Sequence, residues 1–175
     1  MPFGKIAQRV TTPPPPKLQL LIGLVAMIAG LAIVAAALGI LPAPEQSFHA
    51  PHWVVGLAGM AFVFTGTIFL TPLLIAGFAP AAQHTAAQKK VINLVQQILG
   101  TLLLTCFATV PLWIGFGPGE RTFGSSIGFS GLTSHGAGNE TAGRAVFAAA
   151  GLLIGVWAVF AWVSLFRTVL FPKPN

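Results

Sequence analysis

The sequence predicts an all-α integral membrane protein with four transmembrane helices. Of its 175 residues, 55% are hydrophobic and only 7% are charged, whereas a soluble domain carries about a quarter charged residues. Four apolar runs, at residues 18–41, 53–78, 91–116 and 145–171, each exceed the roughly 20 residues that cross a bilayer. No acid lies in any run, and Arg167 is the only cation in them. A chain so poor in charge is expected to face lipid over much of its surface.

The first run is interpreted as a retained helix and not as a cleaved signal peptide. It spans 24 residues, whereas the apolar part of a signal peptide has about 7–15. The chain before it, residues 1–17, contains four consecutive prolines, which favour an extended polyproline II conformation. We expect a stiff spacer there, with a docking motif as the alternative. The domain organisation is then a Pro-rich N-terminal segment, 1–17, followed by one transmembrane domain, 18–175.

The distribution of cations predicts the orientation, because the cytoplasmic flanks of transmembrane helices are enriched in Lys and Arg. With four crossings, seven cations share one side, and two share the other side with all three glutamates. The seven are Lys5, Arg9, Lys17, Lys89, Lys90, Arg167 and Lys173, and the two are Arg121 and Arg144. Both termini are therefore expected in the cytoplasm, and the Ala-, Gly- and Pro-rich composition favours a bacterial inner membrane. No basic stripe of the kind that binds nucleic acid is present.

A long outer loop, residues 117–144, joins the third and fourth helices. Its segment 123–129 alternates apolar with small or polar residues, which favours a short strand or an interfacial segment. Loops of this length are usually functional or held by a partner. Residues 44–48 after helix one and 118–123 after helix three both read Glu, polar, hydroxyl, Phe. This repetition predicts that two helical hairpins arose by duplication and run in parallel.

The titratable side chains argue against an active site inside the bilayer. Intramembrane carboxylates and histidines mark ion pathways, proton relays and haem sites, and the four runs contain neither. The single cysteine excludes an intramolecular disulfide and chemistry by cysteine pairs. His49 and His52 are the weak candidates for metal ligands, with Glu45 or His135 beside them. Because Pro51 interrupts a helical arrangement of the two, we expect a hydrated interfacial pair and no metal.

Helix three carries polar residues at four-residue spacing, which places them on one slowly rotating face. They are Asn93, Gln97, Thr101, Thr105 and Thr109, with Gln96 alongside. Polar side chains in membranes commonly form interhelical hydrogen bonds. We therefore expect this stripe to face inward against helices one and two. The alternative is a groove for a polar headgroup or a quinone, in which Gln97 is the weak candidate contact.

Helix four carries the features of an interface. Gly151 and Gly155 form a small-xxx-small pattern that allows close helix approach, and four large rings follow. The predicted interface is Gly151, Gly155, Trp157, Phe160, Trp162 and Phe166. Trp157 and Trp162 are also the weak candidates for contact with a lipid, quinone or pigment, because they lie away from the helix ends. Trp53 and Trp113 lie at outer helix ends, as interfacial anchors do.

The pattern as a whole predicts a protein that is not an enzyme and holds no cofactor of its own. The expected function is a non-catalytic accessory or assembly subunit of a larger membrane complex. Its partners would be other integral membrane subunits or a second copy, together with membrane lipids. The alternatives are a small homo-oligomeric channel or carrier built around the polar stripe, and a quinone- or pigment-binding subunit of an electron-transfer complex.

Overall fold

The structure, a computed structural model, describes residues 15–41, 50–79, 83–119, 123–129, 132–138 and 140–171. It contains four helices, α1 (Pro16–Ala37), α2 (His52–Ala76), α3 (Ala86–Phe116) and α4 (Glu140–Leu170). Each helix is long and apolar enough to cross a membrane. The prediction of four helices of spanning length is therefore confirmed.

The helix ends differ from the ends of the apolar runs. Helices α1 and α2 stop at Ala37 and Ala76, before the runs end, because Gly39 and Gly77 take φ angles of 72° and 66°. Such angles are readily adopted by glycine and terminate a helix. Leu38 to Leu41, assigned to helix one from the sequence, therefore lie in the turn that follows it.

Helices α3 and α4 begin earlier than the apolar runs, within polar sequence. The Thr85 hydroxyl accepts a hydrogen bond from the Gln88 backbone N–H, and the Gln88 side chain accepts one from the Thr85 N–H. This capping box starts α3 at Ala86. Helix α4 starts at Glu140, so residues 140–144 belong to the helix and not to the outer loop. An apolar run marks the part of a helix that suits lipid, whereas capping sets its ends.

The segment between α3 and α4 contains a β-hairpin. Strands β1 (Phe123–Phe129) and β2 (Leu132–Gly138) pair antiparallel, with Phe123 opposite Gly138 and Phe129 opposite Leu132. The predicted strand at 123–129 is present, and β2 is its partner strand. The fold is thus a helical bundle with one small sheet at a single end.

The helices pack in chain order, with α1 against α2, α2 against α3 and α3 against α4. Among the described residues the other helix pairs barely touch. The packing faces carry buried, mostly small residues at intervals of seven, which is the repeat of helices that stay in contact along their length. These residues are Gly23, Gly30 and Ala37 on α1, Gly59 and Gly66 on α2, Thr101, Ala108 and Gly115 on α3, and Gly151, Ala158 and Leu165 on α4.

Candidate functional site

The contact between α2 and α3 contains a hydrogen bond to a carbonyl that a proline leaves without its helical donor. Pro72 lies inside α2 and has no N–H, so the carbonyl of Ile68, four residues earlier, lacks its helical donor. The side-chain amide of Gln96 on α3 donates to that carbonyl at 3.2 Å. An unpaired carbonyl is costly in lipid, where water cannot replace the donor. Gln96 therefore stabilises the helix packing by satisfying the group that Pro72 leaves free.

Two other residues of the polar stripe form hydrogen bonds with α4. The indole N–H of Trp162 donates to the Thr105 hydroxyl at 3.2 Å, and the Gln97 amide donates to the Ser164 hydroxyl at 3.4 Å. Thr101, only 2% exposed, lies on the same face. Gln96 thus contacts α2, and Gln97 and Thr105 contact α4.

The expected contact of this stripe with helix one is wrong. Helix α1 packs on α2, on a face lined by glycines, and α4 occupies the place beside α3. The hydroxyls of Thr101, Thr105 and Thr109 each donate to the carbonyl four residues earlier, at 2.8–2.9 Å. These three hydroxyls therefore form hydrogen bonds within their own helix, as Ser and Thr side chains in membrane helices commonly do. Asn93, at the start of the stripe, is exposed.

The residues predicted as an interface on α4 fall into three groups. Gly151 packs against Leu112 of α3, and Trp162 bonds to α3 while its ring stacks on Phe166 at a centroid distance of 5.6 Å. A Cβ built at Gly155 would meet nothing within 4 Å. Trp157 and Phe160 are 69% and 66% exposed. At about 100° per residue, they lie roughly 120° and 180° around the helix from Gly151 and so point away from α3.

The candidates for cofactor contact are consequently divided between two surfaces. Gln97 and Trp162 lie in the contact between α3 and α4, where each has a hydrogen-bond partner. Trp157 lies on the outward face, and in the described part of the chain no acceptor faces its indole N–H. The structure therefore does not bring these three residues together into one site.

In the first helical hairpin, formed by α1 and α2, His52 joins the two helices where α1 ends and α2 begins. Its Nδ1 lies 3.0 Å from the carbonyl of Ala37, the last residue of α1. In the tautomer with a proton on Nδ1, the ring donates to that carbonyl, which has lost its helical donor at the helix end. His49, the other weak metal candidate, lies outside the described residues. Within the described residues no three His, Cys, Asp or Glu side chains lie together as metal ligands.

In the second helical hairpin, formed by α3 and α4, Arg144 joins the start of α4 to the end of α3. Its Nε donates to Oε1 of Glu140 at 2.9 Å, one helical turn earlier. Its Nη1 donates to the Gly117 carbonyl at 2.9 Å, and Nη2 donates to the carbonyl of Gly119. A cation beside the C-terminal end of a helix is favourable, because the last carbonyls carry partial negative charge. Close by in the chain, Trp113 packs edge-to-face on Trp53 at a centroid distance of 6.0 Å.

Several structural residues were not singled out from the sequence. The seven-residue spacing of small residues was readable on each helix, as was the four-residue spacing of Glu140 and Arg144. The bond of Gln96 to Ile68 could not be read, because it joins positions 28 apart in the chain. No protein-family model, curated protein or solved structure matches this chain. The functional argument therefore rests on its own residues.

Proposed function

We propose that the chain is a multi-pass protein of a bacterial inner membrane and a non-catalytic accessory or assembly subunit of a larger membrane complex. Its four helices of spanning length support the membrane placement, and the seven-to-two distribution of cations supports cytoplasmic termini. The partner surface in this proposal is the outward face of α4, the helix at one end of the row.

The observation that carries the proposal is the position of Trp157. The residue lies near the middle of the 31-residue helix α4, where lipid would be hydrocarbon. Its ring is 69% exposed, and no described residue accepts a hydrogen bond from its N–H. Hydrocarbon offers no acceptor either, and a buried indole N–H usually finds one. A neighbouring membrane subunit would supply both the acceptor and a surface for the Trp157 and Phe160 rings.

The use of the polar stripe within the chain favours a scaffold over a channel or carrier. Thr101, Thr105 and Thr109 donate to carbonyls of their own helix, and Gln96 and Gln97 donate to neighbouring helices. Lining residues of a pore would instead present these groups to water or substrate.

The test compares variants of exposed residues on the two outer helices. We expect Trp157→Ala to reduce the yield of the assembled complex from native membranes about tenfold, an effect of about 1.4 kcal/mol, with normal insertion. Trp157→Phe, which removes the N–H and keeps a ring, should reduce it a few-fold. Ile28→Ala is the matched control, since Ile28 on α1 is 64% exposed. The measurement is the ratio of partner to chain after mild solubilisation.

Other results would point to other functions. A stronger loss with Ile28→Ala would move the partner surface to α1. A lone homo-oligomer would favour the channel or carrier, and a visible absorption band in the purified material would favour a pigment- or quinone-binding subunit.

For the orientation, a reporter active only in the periplasm should be silent when fused after Asn175 and active when inserted near Gly136. The reverse pattern would contradict cytoplasmic termini.

A further inference from the structure

An apolar groove lies between the start of α1 and the end of α2. It is lined by Pro15, Pro16, Lys17, Leu18, Leu21 and Phe78 and has a volume of about 730 Å³. Pockets of about 300–1,000 Å³ hold small molecules. Leu21 and Phe78 are 60% and 62% exposed. The groove forms because α2 ends at Gly77, whose φ of 66° lets the chain leave the helix axis and places Phe78 beside α1.

The end of the bundle that holds the groove is positively charged. Consecutive helices run antiparallel, so the start of α1, the start of α3 and the end of α4 lie at the same end. The described cations of this end are all exposed, and they are Lys17, Lys89, Lys90 and Arg167. Glu140, the acid among the described residues, lies at the opposite end and is paired with Arg144.

The groove has a cation at one end and apolar side chains further along it, which matches a lipid with a charged headgroup and apolar acyl chains. Lys17 lies at the open end of the helix, and Leu21 lies one turn deeper, about 6 Å along the axis. Phe78 and Leu18 extend the apolar wall. An anionic phospholipid carries its phosphate above its acyl chains, and basic sites beside transmembrane helices bind such headgroups. A purely apolar partner would leave the cation unmatched, and a soluble anion would leave the apolar wall uncovered.

We propose that this groove binds an anionic glycerophospholipid, with its phosphate beside Lys17 and one acyl chain along Leu18, Leu21 and Phe78. The proposal rests on the membrane placement given above. It assigns a specific lipid site to the charged end, beyond the general attraction of cations to the inner leaflet.

The test measures lipid retention on the full chain by native mass spectrometry in detergent. Phosphatidylglycerol and phosphatidylcholine with identical acyl chains are the two probes. We expect preferential retention of phosphatidylglycerol, and Lys17→Gln should weaken it about fivefold. Lys17→Arg keeps the positive charge and should retain phosphatidylglycerol as the unaltered chain does. Leu21→Asn should weaken retention of the same lipid by placing a polar group in the apolar wall.

Two control variants separate the groove from the rest of the surface. Lys90→Gln removes the same charge at the same end from α3, outside the groove, and should change retention less than twofold. Leu24→Asn makes the same polar change on α1 outside the groove and should likewise change retention less than twofold. Equal effects of Lys17→Gln and Lys90→Gln would show diffuse attraction only and would overturn the site. Equal retention of the two lipids would overturn it too.

The remaining outcomes separate this site from the membrane proposal. Full competition by millimolar glycerol phosphate would show a headgroup site without acyl contact and would contradict the lipid occupant. Lipid retention that appears only after deletion of residues 1–11 would show that the preceding chain segment occupies the groove. A chain that stays in carbonate-washed membranes but lacks lipid preference would overturn the site alone. A chain released by that wash would overturn both proposals.

Discussion

In the hairpin of α1 and α2, glycines face each other from both helices, whereas in the hairpin of α3 and α4 Gly115 faces Ala148 and Gly151 faces Leu112. A Cβ at Gly30 would lie 2.7 Å from the Gly59 carbonyl oxygen, and one at Gly66 would lie 2.7 Å from the Gly23 carbonyl oxygen. In the second hairpin a Cβ at Gly151 would meet the Leu112 backbone and side chain. Both pairs of helices thus approach closely at their glycines, and in the first pair glycine lies on both sides of the contact.

The second hairpin combines close approach with hydrogen bonds between its helices. Two side-chain hydrogen bonds, from Trp162 and from Gln97, link α3 and α4, and Arg144 links the end of α3 to the start of α4. In the first hairpin the corresponding bond between the two helices is that of His52 at the end. Helices in lipid associate by close packing and by interhelical hydrogen bonds. The two hairpins rely on these two means in different proportions, and their origin by duplication stays a prediction.

The largest expected effect is a break in the first hairpin. Gly30→Leu would force side-chain atoms into the backbone of α2, where Gly59 O and Val63 N each lie 2.7 Å from the Cβ position. We expect a loss of about 3 kcal/mol in the free energy of unfolding, the upper part of the range for overpacking. The measurement is the rate at which a maleimide labels the single, buried Cys106 on heating in detergent.

The same substitution at an open glycine is its control. At Gly155 and at Gly100 a Cβ meets nothing within 4 Å, so Gly155→Leu and Gly100→Leu should label as the unaltered chain does. If Cys106 of the Gly30→Leu chain is labelled at the same temperature as Cys106 of the unaltered chain, then α1 and α2 can separate without cost. The contrast between the hairpins would then fail.

How far the sequence predicts this fold depends on the distance over which each feature acts. The helices were predictable because length and apolarity are local properties, and the strand at 123–129 followed from local alternation. The helix ends were less predictable, since Gly39 and Gly77 end helices inside the apolar runs and the Thr85 cap starts a helix in polar sequence. The order of packing was not predictable, because it depends on which face meets which neighbour.

The candidate site shows the same limit at the level of single residues. The polar stripe was recognised, and its bonding within the protein agrees with the expectation of inward-facing polar groups. Of its two expected neighbours, helix two is present through the bond of Gln96 to Ile68. Helix one was wrong, because the glycine face of α1 fits the glycine face of α2 and leaves α4 beside α3. Gly155 matched a familiar motif, yet the seven-residue spacing of Gly151, Ala158 and Leu165 determines the buried face.

A second prediction concerns the bond that joins the two hairpins. Gln96→Leu would leave the Ile68 carbonyl without a donor, and we expect a loss of about 1–2 kcal/mol in unfolding free energy. Pro72→Ala supplies an N–H for that carbonyl, so the cost of Gln96→Leu should disappear in a Pro72→Ala background. A double-mutant cycle followed by Cys106 labelling measures this coupling. Additive losses would show that Gln96 acts by packing and not through the carbonyl freed by Pro72.

The smallest expected effect separates the two tryptophans of α4. Trp162→Phe keeps a ring to stack on Phe166 and removes the bond to Thr105. Single interhelical hydrogen bonds in membranes contribute about 0.6 kcal/mol on average, so we expect a small fall in the stability of the isolated chain. Trp157→Phe removes an N–H that has no acceptor among the described residues and should leave that stability unchanged.

Assembly should rank the two variants in the opposite order, because Trp157 faces outward and Trp162 faces α3. Cys106 labelling of the purified chain and the partner ratio from native membranes, measured on both variants, give the four values needed. If Trp157→Phe lowers the stability of the isolated chain as much as Trp162→Phe does, then Trp157 has an acceptor within the chain. The outward face of α4 would then need no partner subunit to supply that acceptor. Nothing would then distinguish α4 from a helix that packs only within its own hairpin.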